Sequence, residues 1–451
     1  MVNEPSQRLE SLFDQALALP AAGRVAFLEG ACGGDSALRR RVEALLSAHQ
    51  EAGEFLLAPP PGTARLPDSV RNSPLAEGVP GDRIGHYKLL QKIGEGGCGV
   101  VFMAEQEEPI RRRVAFKIIK LGMDTKAVIV RFEAERQALA LMDHPNIAQV
   151  FDAGATDTGR PFFVMELVRG IRITDFCDEH QLPTRARLDL FIKVCQAVQH
   201  AHQKGIIHRD LKPSNILVTL HDGVAVPKVI DFGIAKASQG RLTDKTVFTA
   251  FEQFIGTPAY MSPEQAELSG LDIDTRSDIY SLGVLLYELL TGRPPFDAQE
   301  LLKAGLDEMR RRIREVEPPR PSTRLNTLAN DALTTTAGHH HTEAPKLIKL
   351  VRGDLDWIVM RCLEKDRTRR YPTASGLAVD IQRHLSNEPV VARPPSARYR
   401  FQKAVRRHRA VVATAAAVTV ALIAGTVVST WQAIRATRAC AGKPSCRSGE
   451  P

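Results

Sequence analysis

The densest group of chemically active side chains lies in the segment His-Arg-Asp-Leu-Lys-Pro-Ser-Asn, residues 208–215. Asp210, Lys212 and Asn215 come from this segment, and Asp231 follows it in an Asp-Phe-Gly sequence. Carboxylate and amide oxygens are the ligands that a hard cation such as Mg²⁺ prefers, and a lysine neutralises phosphate charge. Phosphoryl transfer needs these groups, because it depends on positioning and electrostatics more than on covalent participation of the protein.

A glycine-rich segment, Gly-Glu-Gly-Gly-Cys-Gly-Val-Val at residues 94–101, fits the pattern G-x-G-x-x-G-x-V. A dinucleotide-binding loop has similar glycines but opens a helix, whereas the β-forming residues Val100, Val101 and Phe102 follow here. The glycines would let a hairpin cover nucleotide phosphates with backbone N–H groups. Taken alone, the segment is equally consistent with an ordinary glycine hairpin.

Lys117 ends the sequence Val-Ala-Phe-Lys on the next expected strand, close to the pattern V-A-I-K. An amphipathic helix is expected over residues 127–142. Glu135 within it could turn inward and pair with Lys117, and Glu133 is the competing candidate. We prefer Glu135 because Leu139, one helical turn later, then faces the core.

The motifs continue with Gly-Thr-Pro-Ala-Tyr-Met-Ser-Pro-Glu at residues 256–264 and with Asp-Ile-Tyr-Ser-Leu-Gly from Asp278. With these motifs in order, the chain resembles the protein kinase superfamily, specifically the eukaryotic-like serine/threonine kinases of bacteria, over about residues 85–386. Lys212, followed by Pro-Ser, and Thr257 resemble the serine/threonine branch. The resemblance implies an α+β fold of two lobes, a small β-rich lobe with one helix and a larger helical lobe.

The resemblance implies four catalytic residues. Asp210 would accept or orient the substrate hydroxyl, and Lys212 would steady the γ-phosphate of ATP. Lys117, fixed by Glu135, would hold the α- and β-phosphates.

The resemblance also implies the ligand-binding residues. Asn215 and Asp231 would hold Mg²⁺, with Mn²⁺ as a substitute metal, and Met165 would be the gatekeeper of the adenine site. The implied ATP-binding positions are Ile93, Gly94, Glu95, Gly96, Gly97, Cys98, Gly99, Val101, Ala115, Lys117, Met165, Glu166, Val168 and Leu217.

Four supporting residues complete the resemblance. The activation segment runs from Asp231 to Glu264, and Glu264 would pair with Arg370 and so hold this segment to the large lobe. Asp278 would hold the backbone of the catalytic loop, residues 208–215. Arg209 would bind a phosphate on the activation segment. The candidate phosphorylation sites are Thr243, Thr246 and Thr249, with an ordinary solvated loop as the alternative for these threonines.

The spacing of apolar residues predicts the strands and helices that must position these residues. The expected strands are 87–93, 100–104 and 113–119, and the expected large-lobe helices are 190–202, 278–290 and 354–363. Residues 318–345, rich in proline, threonine and histidine, are expected to form a solvated loop. A metal site at His339–His341 is disfavoured, since three consecutive histidines cannot comfortably face one ion.

Composition narrows the class of protein. A hydrophobic content of 43% and a charged content of 25% are typical of a globular chain. Seven scattered cysteines without C-x-x-C pairs argue against zinc and against a disulfide framework. The net charge of +8 could suggest nucleic acid, but the arginines cluster before an apolar run near the C-terminus. We therefore expect a membrane and no nucleic acid among the partners.

The apolar run at residues 410–428 is uncharged and long enough to cross a bilayer, with a buried or signal-like helix as the alternative. Basic residues precede it, and no export signal opens the chain, so the kinase domain is expected in the cytoplasm of a single-pass cell-membrane protein. The expected divisions are 1–58 helical segment, 59–84 linker, 85–386 kinase domain, 387–409 basic juxtamembrane segment, 410–428 transmembrane helix and 429–451 short extracytoplasmic tail.

The prediction is an active, signalling kinase that phosphorylates serine or threonine of proteins and of itself, and two other classes of protein are the alternatives. A nucleotide-binding pseudokinase scaffold would usually lack the equivalent of Lys117, Asp210 or Asp231, and all three are present. A small-molecule kinase would not need the complete activation segment, which forms a peptide-binding platform. Besides protein substrates and the bilayer, a dimer of the domain is a further expected partner.

Overall fold

The computed structural model describes residues 79–96, 99–119, 142–232, 258–267 and 273–441, together with a few positions in the N-terminal part. The chain divides into two units, residues 1–77 and 78–451. In the first unit the described positions, all with helical backbone, are Phe27, Gly30, Ala31, Arg39 and Val42. The remainder of the expected N-terminal helical segment, the linker up to residue 78 and residues 442–451 of the expected tail lie outside the described residues.

The small lobe is built on an antiparallel sheet in the order β1-β2-β3-β4-β6-β5. Its strands are β1 Arg83–Ile84, β2 Tyr87–Gly96, β3 Gly99–Gln106, β4 Arg112–Ile119, β5 Val150–Ala155 and β6 Pro161–Glu166. One face of the sheet forms an apolar core in which Phe116 stacks on Phe162 with ring centroids 4.6 Å apart. The three expected strands are confirmed, and β1 begins inside the range expected to be linker.

The alternation of β4 decides which side chains leave this core. Val114, Phe116 and Ile118 belong to the apolar cluster. Because neighbouring side chains of a strand point to opposite faces, Ala115 and Lys117 lie on the other face of the sheet. The small lobe therefore presents its lysine away from its own core.

The larger lobe carries a second sheet, in the order β7-β8-β9, and a set of packed helices. Its strands are β7 Ile171–Arg172, β8 Ile216–His221 and β9 Val224–Val229. Its helices are α1 Ile173–Glu179, α2 Thr184–Gln203, α3 Pro263–Ala266, α4 Thr275–Thr291, α5 Ala298–Lys303, α6 Leu306–Glu315, α7 Pro321–Thr327, α8 Asn330–His339, α9 Ala344–Val351, α10 Asp354–Cys362 and α11 Ala374–Leu385. The three expected helices are confirmed as parts of α2, α4 and α10.

Helix α4 is the central element of the larger lobe and is buried over most of its length. Asp274 caps its N-terminus by accepting a hydrogen bond from the N–H of Arg276. Its C-terminus ends at Gly292, whose φ of 76° is the left-handed conformation that favours glycine. Within α4, a Cβ on Gly283 would lie 2.4 Å from the Cβ of Cys362. Only glycine therefore lets α4 and α10 approach this closely.

The expectation of a solvated loop at residues 318–345 is wrong. This range contains α7 and α8 and the start of α9, and Leu325 and Ala337 are buried in the main core. The buried guanidinium of Arg187 on α2 fixes the end of α8 by donating to the carbonyl of His339 at 2.6 Å. Isolated proline and threonine positions suggested a loop, but proline is well tolerated in the first turn of a helix, as at Pro321.

Two further helices follow α11: α12 Ala397–Arg407 and α13 Arg409–Ala441. The expected juxtamembrane segment is thus ordered, since α12 buries Tyr399 and Lys403 against the lobe. In α13 the stretch Ala413–Ala436 is long and apolar enough to cross a membrane, and none of it is buried. It overlaps the expected span at 410–428 and extends beyond it.

Candidate active site

The catalytic loop, residues 208–215, is held at its start by one buried carboxylate. Both oxygens of Asp278 on α4 accept backbone N–H groups, from His208 at 2.8 Å and from Arg209 at 2.8 Å. His202 on α2 completes the arrangement with a contact of 2.7 Å from its Nε2 to Asp278. These bonds hold Arg209 at a φ of 62°, a conformation that costs free energy for a non-glycine residue. Asp278 therefore lies where the sequence placed it, against the loop backbone.

Beyond Arg209 the loop presents the three polar residues of the first motif in one group. Lys212 Nζ lies 2.8 Å from Asp210 Oδ2. The amide of Asn215 donates to the carbonyl of Asp210 at 2.9 Å and to its carboxylate at 3.2 Å. A carboxylate with a lysine and an amide donor on it has a fixed orientation, which a group that receives a hydroxyl proton requires.

The second sheet brings Asp231 to the same place. The N–H of Ile230 donates to the carbonyl of Asn215 at 2.9 Å, and the imidazole Nε2 of His208 lies 3.1 Å from the carbonyl of Ile230. Asp231 follows with a φ of 58°, and burial lowers the pKa of His208, which favours its neutral form. The two candidate metal ligands are therefore neighbours, although Asn215 precedes β8 and Asp231 follows β9.

Lys117 joins the lobes across the cleft. Its Nζ lies 2.8 Å from Oδ1 of Asp231, and both side chains are mostly buried. The pairing expected with Glu135 lies outside the described residues, as do Glu133 and Leu139. This ion pair brings a small-lobe lysine and a large-lobe aspartate together. The lysine could bind phosphate and the aspartate could bind a metal ion at the same place.

The implied ATP-binding positions follow the strands of both lobes. Val101 is paired with Lys117 across β3 and β4, and Ala115 is paired with Met165 across β4 and β6. A Cβ on Gly99 would lie 2.2 Å from the carbonyl oxygen of Ile118, so only glycine fits there. In the structure Ile93, Gly94, Glu95 and Gly96 lie in β2, Gly99 and Val101 in β3, Ala115 and Lys117 in β4, Met165 and Glu166 in β6, Val168 just after β6, and Leu217 in β8. Gly97 and Cys98 lie outside the described residues.

The side chain of Glu166 is already engaged within the protein. Its Oε2 lies 2.8 Å from Nζ of Lys228 on β9 and accepts the N–H of Gln149 at 3.3 Å. The N–H of Glu166 also donates to the carbonyl of Gln149 at 2.8 Å, which leaves the other backbone groups of residues 166–168 as the partners that this segment could offer to a base.

The end of the activation segment is anchored by the expected ion pair. Arg370 donates to Glu264 at 2.7 and 2.9 Å, and its guanidinium is fully buried. Burial by itself would raise the pKa of Glu264, but the hydrogen bonds from Arg370 and from Ser277 hold that pKa below its ordinary value. The candidate phosphorylation sites Thr243, Thr246 and Thr249 lie outside the described residues.

Gln265 is a contact residue that the sequence reasoning missed. Its side-chain amide donates to the carbonyl of Arg209 at 2.9 Å, and its Oε1 accepts the N–H of Ser262 at 3.0 Å. Ser262 and Gln265 form a capping box at the start of α3. The S-x-x-Q spacing could have indicated this cap, but nothing in the sequence indicates its bond to the catalytic loop.

The comparisons with known proteins agree with this geometry. The sequence pattern of the protein kinase domain matches residues 87–381. Serine/threonine-protein kinase PknB of Mycobacterium leprae is 34% identical over 308 residues, covering 67% of this chain and 43% of that protein. Serine/threonine-protein kinase Pkn1 of Myxococcus xanthus is 37% identical over 309 residues, covering 67% of this chain and 41% of that protein. The chain thus spans less than half the length of these two relatives.

A solved structure is also similar. The crystal structure of the Mycobacterium tuberculosis PknI kinase domain covers 68% of this chain and 100% of that chain, with 23% sequence identity and a TM-score of 0.48.

Proposed function

This chain belongs to the protein kinase domain family, and we propose that it is an active kinase that transfers the γ-phosphate of ATP to serine or threonine of proteins. The observation that carries the proposal is the group formed by Asp210, Lys212, Asn215 and Asp231, joined to Lys117 across the cleft. A scaffold that only binds nucleotide would not need an oriented aspartate beside a lysine at this point.

In the proposed reaction the hydroxyl oxygen of a substrate serine or threonine bonds to the γ-phosphorus, and the bond from that phosphorus to the β–γ bridging oxygen breaks. Asp210 receives the hydroxyl proton, and ADP leaves with the bridging oxygen. Lys212, at 2.8 Å from Asp210, neutralises charge on the transferred group, while Lys117 holds the α- and β-phosphates. The backbone of residues 166–168 orients the adenine.

The residues present fit a divalent metal of the Mg²⁺ type. Asn215 and Asp231 supply oxygen donors at adjacent positions, linked by the bond from the N–H of Ile230 to the carbonyl of Asn215 at 2.9 Å. Asn215 and Asp231 would hold the metal, which would offset the negative charge of the phosphates. In the present geometry the carboxylate of Asp231 meets the ammonium of Lys117, so both groups already have a partner of opposite charge.

The test is radiolabel transfer from ATP to the chain itself and to a basic test protein. Asp210→Asn should lose at least about 100-fold in kcat, because general-base assistance contributes about 10²–10⁴ in rate. Lys117→Met should be similarly inactive while the chain keeps a cooperative unfolding transition, which shows that the fold is intact. Asp222→Asn is the matched control, since Asp222 lies in the exposed β8–β9 turn with a φ of 50° that asparagine tolerates. Equal transfer by the parent chain and Asp210→Asn would reject the assignment.

A second part of the proposal concerns control of the site. The Nε of Arg209 is buried and lacks a hydrogen-bond partner among the described residues, so the guanidinium has a donor left for an anion such as phosphothreonine. Mass spectrometry of active enzyme should find phosphate on at least one of Thr243, Thr246 and Thr249. A triple alanine variant with full activity would show that Arg209 reads no phosphate there. Transfer between two copies would need a dimer, which stays a prediction.

The third part concerns location. We propose that the apolar stretch of α13 crosses the cell membrane, with the kinase domain in the cytoplasm and the tail outside. The stretch is exposed, and basic residues precede it, which favours the cytoplasm for its N-terminal side. Release of the full chain by carbonate washing would reject the anchor. The orientation is tested with a reporter that is active only outside the cytoplasm, fused after Pro451. If the chain stays in the membrane but this reporter is silent, only the orientation is rejected.

A further inference from the structure

Helix α12 is fastened to the larger lobe by a buried carboxylate. Asp354, at the start of α10, accepts a hydrogen bond from the hydroxyl of Tyr399 at 3.0 Å and lies 2.6 Å from Nζ of Lys403. His384 approaches the same carboxylate at 3.3 Å. Burial by itself would raise the pKa of Asp354, but these hydrogen bonds hold the pKa well below its ordinary value. The inner face of α12 is therefore held by a carboxylate whose charged form is favoured.

A second buried carboxylate fixes the chain that leads to α12. Asp380 on α11 accepts the N–H groups of Val391 at 2.6 Å and Ala392 at 2.9 Å. At the far end of α12, Arg407 lies 3.0 Å from Glu388. Residues 388–407 are thus part of the lobe, and α12 has a defined outer face.

That outer face is basic and carries one exposed aromatic ring. Arg398 and Arg400 are exposed, and Phe401 has 71% of its surface exposed. Arg398 and Arg400 lie in the first turns of α12, where positive charge opposes the helix dipole. Their position costs helix stability, so helix formation does not explain them.

The C-terminal end of α12 lies close to the start of α13, and Arg400 and Phe401 lie about two helical turns before that end. α12 ends at Arg407 and α13 begins at Arg409. The chain advances at most about 3.6 Å per residue, so the end of α12 lies within about a Debye length of the start of α13. Arginines around an aromatic residue are typical of helices that lie in the headgroup region of a membrane.

We propose that the outer face of α12 binds the anionic headgroup surface of the membrane, with Phe401 inserted at the boundary of the acyl chains. The inference rests on the proposed membrane anchor. A second copy of this face would bring arginine against arginine, so charge complementarity favours an anionic lipid surface. Because the inner face of α12 is fastened to Asp354, lipid binding would set the orientation of the whole kinase domain on the membrane.

The test uses the full chain in nanodiscs whose acyl chains carry bromine, which quenches tryptophan on contact. The chain has two tryptophans, Trp357 in the lobe and Trp431 in the apolar stretch, and Phe401→Trp adds a third at an exposed position. We expect the added emission to be quenched in nanodiscs with phosphatidylserine. Quenching should be lost with phosphatidylcholine alone and at high salt.

Charge reversal separates lipid recognition from chance proximity. In the Phe401→Trp background, Arg398→Glu with Arg400→Glu should abolish the quenching, since each arginine changes the ratio of bound to unbound states roughly fivefold. Glutamate in the first turns also suits the helix dipole, so α12 should stay folded. The matched control is Arg293→Glu with Arg352→Glu, an equal charge change at two exposed arginines of the lobe.

The outcomes are distinct. Unquenched Trp431 in the parent chain would reject the membrane anchor itself. Quenched Trp431 with an unquenched added tryptophan would overturn only the surface proposal. Equal quenching in both lipids would also overturn it, because the contact would then be independent of headgroup charge.

Discussion

Replacing Arg370 by methionine should cost more stability than almost any other single change in the larger lobe. Its guanidinium donates twice to Glu264 and also to the carbonyls of Glu364 at 2.8 Å, Arg276 at 3.0 Å and Lys365 at 3.1 Å. Methionine fills part of the volume but donates nothing. Glu264 would keep Ser277, at 2.6 Å, as its hydrogen-bond donor.

The magnitude follows from burial. The side chain of Arg370 is 0% exposed and that of Glu264 is 14% exposed, so Arg370→Met leaves a buried carboxylate without its counter-charge. Breaking such a pair costs about 3–5 kcal/mol in free energy of unfolding. At about 2 °C per kcal/mol for a domain of this size, the melting temperature should fall by about 6–10 °C.

The assay is thermal unfolding of the full chain in detergent, with Arg311→Met as the matched control. Arg311 makes an equally good double hydrogen bond to Glu308, at 2.7 and 2.8 Å, but its side chain is 53% exposed on α6. An exposed pair contributes little because solvent screens it, so the control should unfold close to the parent temperature.

The pH dependence gives an independent check on the cause. In the parent, Glu264 has a lowered pKa, so the pair stabilises the fold above the unfolded pKa of the carboxyl and this contribution is lost as pH falls. In Arg370→Met the lone buried carboxylate should have a raised pKa, so the variant should lose stability as pH rises. The difference between the two proteins should therefore narrow from neutral pH towards pH 5. Equal temperature shifts for Arg370→Met and Arg311→Met, or a pH-independent difference, would refute this reasoning.

Three other predictions concern single side chains. Burial raises the pKa of Glu288, which accepts a hydrogen bond from Tyr260, to about 7, so its proton stabilises the fold below the unfolded pKa of 4.5 and that contribution is lost as pH rises to 7. In the parent, the free energy of unfolding from urea titrations should therefore fall by up to about 3 kcal/mol between pH 5 and 8, and Glu288→Gln should remove this fall. The same pH dependence of the free energy of unfolding in both proteins would contradict the prediction. Gln265→Glu keeps the acceptor for the N–H of Ser262 but loses the donor to the carbonyl of Arg209. The kcat should therefore fall roughly tenfold, with KM for ATP unchanged. A change in melting temperature without a change in kcat would mean that this hydrogen bond does not position the catalytic loop. Gly283→Ala should lower the free energy of unfolding, measured by urea unfolding, by about 1–3 kcal/mol through overpacking against α10. The control is Gly425→Ala, where an added Cβ meets nothing within 4 Å, and it should match the parent. An equal effect of the two substitutions would contradict the packing argument.

The catalytic group could be predicted from sequence because its residues lie in short segments whose spacing is set by local chemistry. Asp210, Lys212 and Asn215 come from one loop, and the resemblance also supplied the distant pair of Glu264 and Arg370. The fold was predictable where apolar residues alternate or recur with helical spacing, as in β4 and α4. These signals need no knowledge of the tertiary contacts.

The expectations that were wrong or incomplete depended on tertiary contacts. Residues 318–345 became helical because Leu325 and Ala337 reach the core and Arg187 holds the end of α8, and their composition alone resembled a loop. Likewise, the basic segment before α13 gave no sign that Lys403 would be buried against Asp354. Long-range partners of this kind decide the structure of a segment without leaving a pattern in it.

The clasp formed by Asp354, Asp380 and residues 388–407 bears on the order of events during biosynthesis. The family match ends at residue 381, yet both buried carboxylates find their partners further along the chain. At about 5–20 residues per second the ribosome delivers those partners just before the apolar helix, so the contacts of Asp354 and Asp380 with residues 388–407 form only when the chain has been made almost up to α13. If α13 is the membrane anchor that we propose, the formation of these contacts and the membrane insertion of α13 would be consecutive steps, separated by seconds.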